Sequence, residues 1–223
     1  MCGGGGGGGG AIAASAGTCT VGGPGGAATF AEALVDISSC SSITFSLGAG
    51  GSAGTTAGGA GGTGGSTSIT GLNSSGGLLF TIVAPGGFGG TGDTTAAANS
   101  INSSNNSQTA AIVGAIRAGW SVNGLGSRAN ATYVASSFYY ITGKNDGAIS
   151  LLAQRYGTPM SADFQLFSSS NTLLTTTATG GAGQARYTVQ FGCGGNPGWN
   201  IGSATARAGG AGTAGAIIIT EYA

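Results

Sequence analysis

The chain has 223 residues, of which 50 are glycine, 5% are charged and none is histidine, and its formal net charge is zero. Six scattered Lys and Arg residues cannot form the cationic surface that neutralises phosphates, which argues against a nucleic-acid partner. Without His there is no Ser–His or Cys–His pair to activate a nucleophile, so we expect no enzyme, no metal site and no cofactor.

Residues 1–92 alternate glycine blocks with short apolar runs. The first block, 3–10, is glycine throughout. Residues 43–47 (I-T-F-S-L) alternate apolar and polar side chains, which predicts a half-buried strand. The longest glycine-rich tract, 48–65, follows. Residues 78–83 (L-L-F-T-I-V) then predict a buried strand, and this first region as a whole is predicted to be glycine-rich and packed.

Residues 93–191 form a second region, which is polar and aromatic and which we predict to be the variable part. Its first stretch, 93–109, has hardly any apolar content and predicts a linker or a long exposed loop. Residues 110–118 fit either one short helix or a strand. Most of the bulky aromatics lie in 119–191, which predicts short strands with polar loops, the best alternation being at 186–191 (R-Y-T-V-Q-F).

Glycine returns in the third region, 192–223, which we expect to complete the first. Its final run, 216–222 (A-I-I-I-T-E-Y), is the clearest strand signal in the sequence. Apart from alanine, residues with high helix propensity are few, and glycine is abundant. The predicted fold class is therefore mostly β, with short strands, packed polyproline-II-like glycine segments and little or no α-helix.

The glycine tracts leave two alternatives open. Glycine loses more backbone entropy on ordering than any other residue, so an ordered tract such as 3–10 needs compensation that side chains cannot supply. The tracts are either flexible linkers or polyproline-II-like segments that pair backbone to backbone. Punctuation by Ile, Leu, Val and Phe favours the packed alternative, since pure linkers alternate Gly with Ser.

The cysteines also leave two alternatives. Cys2, Cys19, Cys40 and Cys193 show no C-x-x-C spacing, so neither a zinc nor a redox motif is indicated. They are predicted to be small buried apolar residues, or else two disulfide bridges whose pairing the sequence does not determine.

Four elements of the sequence together resemble the glycine-rich domains at the C-terminal ends of bacteriophage tail fibres. They are the run at 3–10, S-L-G-A-G-G at 46–51, V-A-P-G-G at 83–87, and the tract at 209–222 that ends in A-I-I-I-T-E-Y. The chain is also similar to the tip adhesins of T-even-like phages. This resemblance implies a rigid glycine core that carries variable loops, and it implies that the loops recognise bacterial surface proteins or glycans.

The expected function is therefore a non-enzymatic tail-fibre or tail-tip adhesin that binds a bacterial surface receptor. Its other partners would be virion tail proteins and further copies of itself, a trimer by analogy. No signal peptide and no apolar span of about 20 residues is present, so we expect synthesis in the host cytoplasm, no membrane insertion, and a place in the virion tail that becomes extracellular on release. The alternative is a purely structural virion or filament subunit, and a third hypothesis is an ice-binding protein.

Exposed aromatic side chains are the predicted receptor-binding residues, because they offer large contact area at low entropic cost. The candidates are Trp120, Tyr133, Tyr139, Tyr140, Tyr156 and Trp199. Each could instead belong to the core or to an interface between copies. Tyr139 and Tyr140 are adjacent, and adjacent side chains of a strand point to opposite faces, so at least one of them is expected at a surface. Trp199, in a glycine-proline turn, is the second choice.

Overall fold

Strands are the regular secondary structure of the part of the chain that the structure describes. The computed structural model describes residues 1–15, 17–97, 99–103, 108–124, 128–135, 138–142, 180–181, 191–202 and 204–222. The twelve strands are β1 (Cys19–Val21), β2 (Phe30–Val35), β3 (Ser42–Ser46), β4 (Thr67–Leu72), β5 (Leu78–Ala84), β6 (Asn99–Ser103), β7 (Ala111–Gly114), β8 (Ile116–Val122), β9 (Arg128–Ala135), β10 (Phe138–Thr142), β11 (Gly180–Gly181) and β12 (Trp199–Ile201). The mostly-β fold class is confirmed.

The central glycine tract, 3–10, exchanges backbone hydrogen bonds with its neighbours in a three-residue rotation. The N–H groups of successive residues donate to three neighbouring segments, one after another, and the carbonyls of successive residues accept from three other segments in the same way. Gly7, for example, donates to Gly62 O at 2.9 Å and accepts from Gly90 N–H at 2.8 Å. Three residues per turn, with N–H and C=O groups directed outward, is the geometry of the polyproline II helix.

Six glycine-rich segments surround this tract, and each also bonds to its two neighbours around the ring. Their order is 22–29, 85–93, 59–65, 48–54, 207–215, 192–198 and back to 22–29. The three that accept from the central tract run antiparallel to it, the three that donate run parallel, and the two kinds alternate. Segments from the first and last regions of the sequence therefore share one ring.

The interior of this bundle leaves no room for side chains. A Cβ added to any glycine from Gly3 to Gly10 would approach a neighbouring backbone carbonyl more closely than 3.0 Å. Backbones can approach this closely only where Cβ is absent. The uninterrupted glycine of 3–10 and the glycines spaced by three in the outer segments both follow from this requirement.

At the Cys2 end of the bundle, strands β3-β4-β5-β7 form an antiparallel sheet in that order. The predicted strand at 43–47 is present as β3 and the one at 78–83 as β5. The second is buried on one face only, because Phe80, Ile82 and Ala84 face the core while the residues between them are partly exposed.

Strands β2 and β8 pair in a two-stranded sheet that packs on the first. Their shared core holds Met1, Ala31, Phe80, Ile82 and Ala84, with Ile69, Ile112 and Ile116 among the partly buried residues around it. Residues 110–118, for which the sequence allowed helix or strand, belong to β7 and β8.

At the Gly10 end, Ala11 forms backbone bridges to Asp93 and Arg207. Two further antiparallel sheets, β1-β12-β11 and β10-β9-β6, lie beyond it. The loop predicted at 93–109 is wrong in part, because 99–103 form β6. That polar strand is held by pairing with β9 and by the Asn102 side-chain amide, which donates to Val21 O at 2.7 Å. Of the alternating run at 186–191, residues 186–190 lie outside the described residues.

The strand predicted at 216–222 is wrong. Ala216 forms a bridge with Cys2, but residues 217–222 form neither a strand nor a bridge in the described structure. Ile217 is half-buried against the core of the sheets. This contact directs the segment away from the line of backbone pairing that ends at Ala216. Strand propensity is therefore not realised, because no strand edge among the described residues pairs with the segment.

None of the four cysteines forms a disulfide bridge in the structure. Cys2, Cys19 and Cys193 are fully buried and Cys40 is half-buried. This agrees with the first of the two alternatives for the cysteines. Across the described ranges, no helix has the length and apolar character needed to cross a membrane.

Candidate binding surface

Three of the candidate aromatics lie in the β9–β10 hairpin. Tyr139 pairs in register with Tyr133, and Tyr140 pairs with Thr132, next to a register irregularity between Phe138 and Tyr139. The hairpin is joined to β6, so these residues belong to the Gly10 end of the molecule. Tyr156 lies outside the described residues.

Trp199 is brought to the same end. It begins β12 and pairs in register with Val21 on one side and Gly181 on the other. Strand β1 is fixed there because the buried Asp93 carboxylate accepts a hydrogen bond from Val21 N–H at 2.9 Å. The Trp199 side chain is half-buried. The structure therefore gathers Tyr133, Tyr139, Tyr140 and Trp199 on neighbouring sheets.

Trp120 lies apart from the others, on the outer face of the β2–β8 sheet at the Cys2 end. It pairs in register with Glu32, and Val122 pairs with Phe30. Every second residue of β2 faces the core. Glu32 and Leu34 lie between these residues and therefore face outward, and Trp120 and Val122 of the paired strand β8 lie on the same side. We call this set the Trp120 face.

The Trp120 face is apolar, exposed and aromatic at its centre. Leu34 is 51% exposed, Trp120 46% and Val122 39%. The Trp120 ring packs on the buried Phe30 ring at a centroid distance of 5.1 Å and an interplanar angle of 50°. One part of the indole is therefore fixed by the core, while about half of the side chain faces solvent beside the Glu32 carboxylate. A half-buried aromatic of this kind is pre-oriented for binding.

An ion pair lies at the margin of this face. The Asp36 carboxylate, just beyond β2, accepts hydrogen bonds from Ser38 N–H and from the Arg117 guanidinium of β8. The Ser38 amide first, and then Arg117, hold the pKa of Asp36 well below its ordinary value. Arg117 is largely exposed and Asp36 partly exposed, so the pair contributes a fixed local charge pattern more than stability.

Three members of the Trp120 face, Glu32, Leu34 and Val122, were not among the binding residues predicted from the sequence. The pattern that could have identified them is the run 30–35 (F-A-E-A-L-V), where small alanines alternate with larger residues. Small residues on one side and large ones on the other indicate a strand whose tightly packed face is the alanine face. The large residues then lie on the opposite side of the strand, where Glu32 and Leu34 are exposed and Phe30 is buried.

Comparison with known proteins does not identify the chain: no protein-family model, no curated protein and no solved structure matches it. Within the described part of the chain, no three Cys, Asp or Glu side chains cluster as a metal centre would require.

Proposed function

We propose that the chain is a non-enzymatic adhesin of a bacteriophage tail fibre or tail tip, which binds a receptor on the bacterial surface. The observation that carries the proposal is the ring of six glycine-rich segments around a seventh. Backbone hydrogen bonds join each of these segments to its neighbours, and the Thr213 hydroxyl adds side-chain bonds to Cys193, so the connections between them are not needed to fill a core. A scaffold of this kind can present binding residues at its ends while the connecting sequences vary, as in folds that carry recognition on loops.

The Trp120 face supports a glycan as the receptor. The exposed indole offers an apolar ring on which a sugar face can stack, and the neighbouring Glu32 carboxylate can accept hydrogen bonds from sugar hydroxyls. Leu34 and Val122 extend the apolar area on either side. The chain's formal net charge of zero removes long-range repulsion from a negatively charged cell surface.

Adsorption of the purified protein to host cells tests the proposal. Trp120→Ala should weaken binding by about 30-fold or more, the effect of removing a central aromatic anchor. Val113→Ala is the matched control, because Val113 is similarly exposed, at 54%, but lies on β7 outside the Trp120 face. Equal adsorption by the Trp120→Ala variant and the wild type, with folding intact, would refute the assignment of this face.

The chemistry of the receptor is tested on the cells themselves. Periodate oxidation of surface sugars should abolish adsorption, and protease treatment should leave it unchanged. The opposite pattern would make a surface protein the receptor. Absence of adsorption to every candidate host would count against the adhesin function as a whole.

The second cluster of aromatics is tested in the same assay. Tyr139→Ala and Tyr140→Ala probe the β9–β10 hairpin, and Trp199→Ala probes the adjoining sheet. If these variants lose adsorption while Trp120→Ala retains it, the Gly10 end is the receptor-facing end. The adhesin function would stand in that case and only the binding surface would change.

A purely structural subunit is the second candidate, favoured by exposed apolar side chains such as Phe45 and Ile219. A subunit of a growing filament polymerises end to end without limit, whereas an adhesin stays at a fixed size. Light scattering of the purified protein over a concentration series distinguishes the two.

A further inference from the structure

Strand β3 is an open sheet edge with apolar side chains left exposed. It pairs with β4 on one side, and its other side carries no strand in the described structure. Phe45 pairs in register with Ile69, which pairs with Ile82. Ile82 is buried, but Phe45 is 52% exposed, and Leu47 just beyond the strand is 62% exposed.

Among the described residues, this edge has none of the features that usually prevent pairing with another chain. Natural edge strands are protected by Lys, Pro, bulges or a covering element. Strand β3 has the sequence S-I-T-F-S, without charge and without proline, and its pairing with β4 is regular throughout. An uncovered edge of this composition is a site for strand addition.

The C-terminal residues 217–222 have the complementary property. They carry the strongest strand propensity in the sequence and yet form no strand. Ile217 is half-buried against the core, whereas Ile218 is 45% exposed, Ile219 58% and Tyr222 81%. The segment thus presents β-branched and aromatic side chains to solvent.

Strand β3 and the segment 217–222 lie next to each other where they join the glycine bundle. Gly215 N–H donates to Gly48 O at 2.8 Å, and Gly48 directly follows Leu47 at the end of β3. The chain's own segment does not continue along β3, because Ile217 is anchored on the core instead. The unpaired edge of β3 and the segment 217–222 therefore lie next to each other. When two molecules meet at this surface, the segment of each molecule can reach the β3 edge of the other.

We propose that the β3 edge binds residues 217–222 of a second copy of this chain as an added antiparallel strand. Main-chain hydrogen bonds supply the attraction, and the alternating side chains of the segment cover Phe45 and Leu47. The only charged residue on either side is Glu221, so no like-charge pair opposes the contact. Reciprocal exchange closes the assembly, and the purified chain is a closed oligomer of fixed size.

Mass measurement by sedimentation or light scattering tests the interface with matched variants. Phe45→Glu places a charge on the β3 edge and should weaken self-association by about 30-fold or more. Val113→Glu is the control, since Val113 is as exposed as Phe45 but lies on β7 at the other edge of the same sheet. It should leave the mass unchanged.

A mixing experiment identifies the occupant of the edge. Ile219→Glu disables the segment and leaves the edge intact, whereas Phe45→Glu does the reverse. Each variant alone should be monomeric, and an equimolar mixture should give a one-to-one pair, because one intact edge then meets one intact segment. Circular dichroism of each variant verifies that the fold is retained.

The results separate this interface from the adhesin function. A monomeric wild type, equal effects of Phe45→Glu and Val113→Glu, or a mixture that stays monomeric would each overturn the proposal. None of these outcomes bears on adsorption to bacteria, which is measured independently with Trp120→Ala.

Discussion

Alanine at position 7 would test whether the glycine bundle is a packed scaffold. The Gly7 N–H donates to Gly62 O and its carbonyl accepts from Gly90 N–H. A Cβ at this position would lie much closer than 3.0 Å to the carbonyl of Ser52 in segment 48–54. Relief of this overlap requires the segment to move by more than about 1 Å, since non-bonded heavy atoms sit about 3.5 Å apart.

The cost follows from the bonds that such a movement breaks. Segment 48–54 is held by Gly51 N–H to Gly5 O, by Gly54 N–H to Gly8 O and by Gly62 N–H to Ser52 O, at 2.7 to 2.8 Å. Three backbone bonds at about 1 kcal/mol each, plus about 1–3 kcal/mol for overpacking, give roughly 4–6 kcal/mol. This is comparable to the whole stability of many domains, about 5–15 kcal/mol.

Equilibrium unfolding in urea, monitored by tryptophan fluorescence, measures the effect. Gly119→Ala is the matched control, because its Cβ would meet only side-chain methyl groups, at 3.2 Å and beyond, and it should change stability by less than about 1 kcal/mol. In a flexible tether, Gly→Ala is neutral or slightly stabilising, because it restricts the unfolded chain. A Gly7→Ala variant as stable as the wild type would therefore refute the packed bundle.

Three further predictions concern single side chains. Asp36→Asn should flatten the pH dependence of stability. The pKa of Asp36 is lowered in the folded state, so the stability that its carboxylate contributes is present above its ordinary pKa and is lost as the pH falls through the acid range. Unfolding experiments from pH 7 to pH 2 would measure this loss. An aqueous thiol reagent should modify Cys40 before the three buried cysteines, and all four should react after unfolding without reductant; fewer than four would reveal a disulfide. Asn73→Ala should cost about 1–2 kcal/mol of unfolding free energy, because the Asn73 side-chain oxygen Oδ1 accepts hydrogen bonds from Ser75 N–H and Gly77 N–H in the β4–β5 turn. No loss would show that the turn forms without this side chain.

Apolar residues in the sequence predicted two strands of the sheet at the Cys2 end. The alternating run 43–47 and the continuous apolar run 78–83 appear as β3 and β5, because each has a sheet partner, but only β5 buries one face and β3 is more exposed than its pattern predicts. The same reasoning was wrong for 216–222, where propensity is higher but no strand edge in the described part of the chain pairs with the segment. It missed β6, whose polar residues are held by backbone pairing and by Asn102 rather than by burial.

The glycine tracts set a different limit on sequence reading. Composition left packed and flexible tracts open, because glycine has no side chain whose pattern could indicate a neighbour. The rotation of hydrogen bonds through the six outer segments is the arrangement that the packed alternative requires, and Gly7→Ala is its test. Among the binding candidates, aromatic content identified Trp120, but its neighbours Leu34 and Val122 emerged only from strand register.

The order in which the ring's segments occur along the chain has a kinetic consequence. The central tract is made first, at 3–10, yet its partners are spread through the sequence as far as 215. A ribosome-bound chain that ends before 192 lacks two of the six surrounding segments, so the N–H groups of Gly5 and Gly8 and the carbonyls of Gly6 and Gly9 must then bond to water. Since closing contacts so distant in sequence is slow, we expect the bundle to form late, after residues 192–215 have been made, and in a single cooperative step.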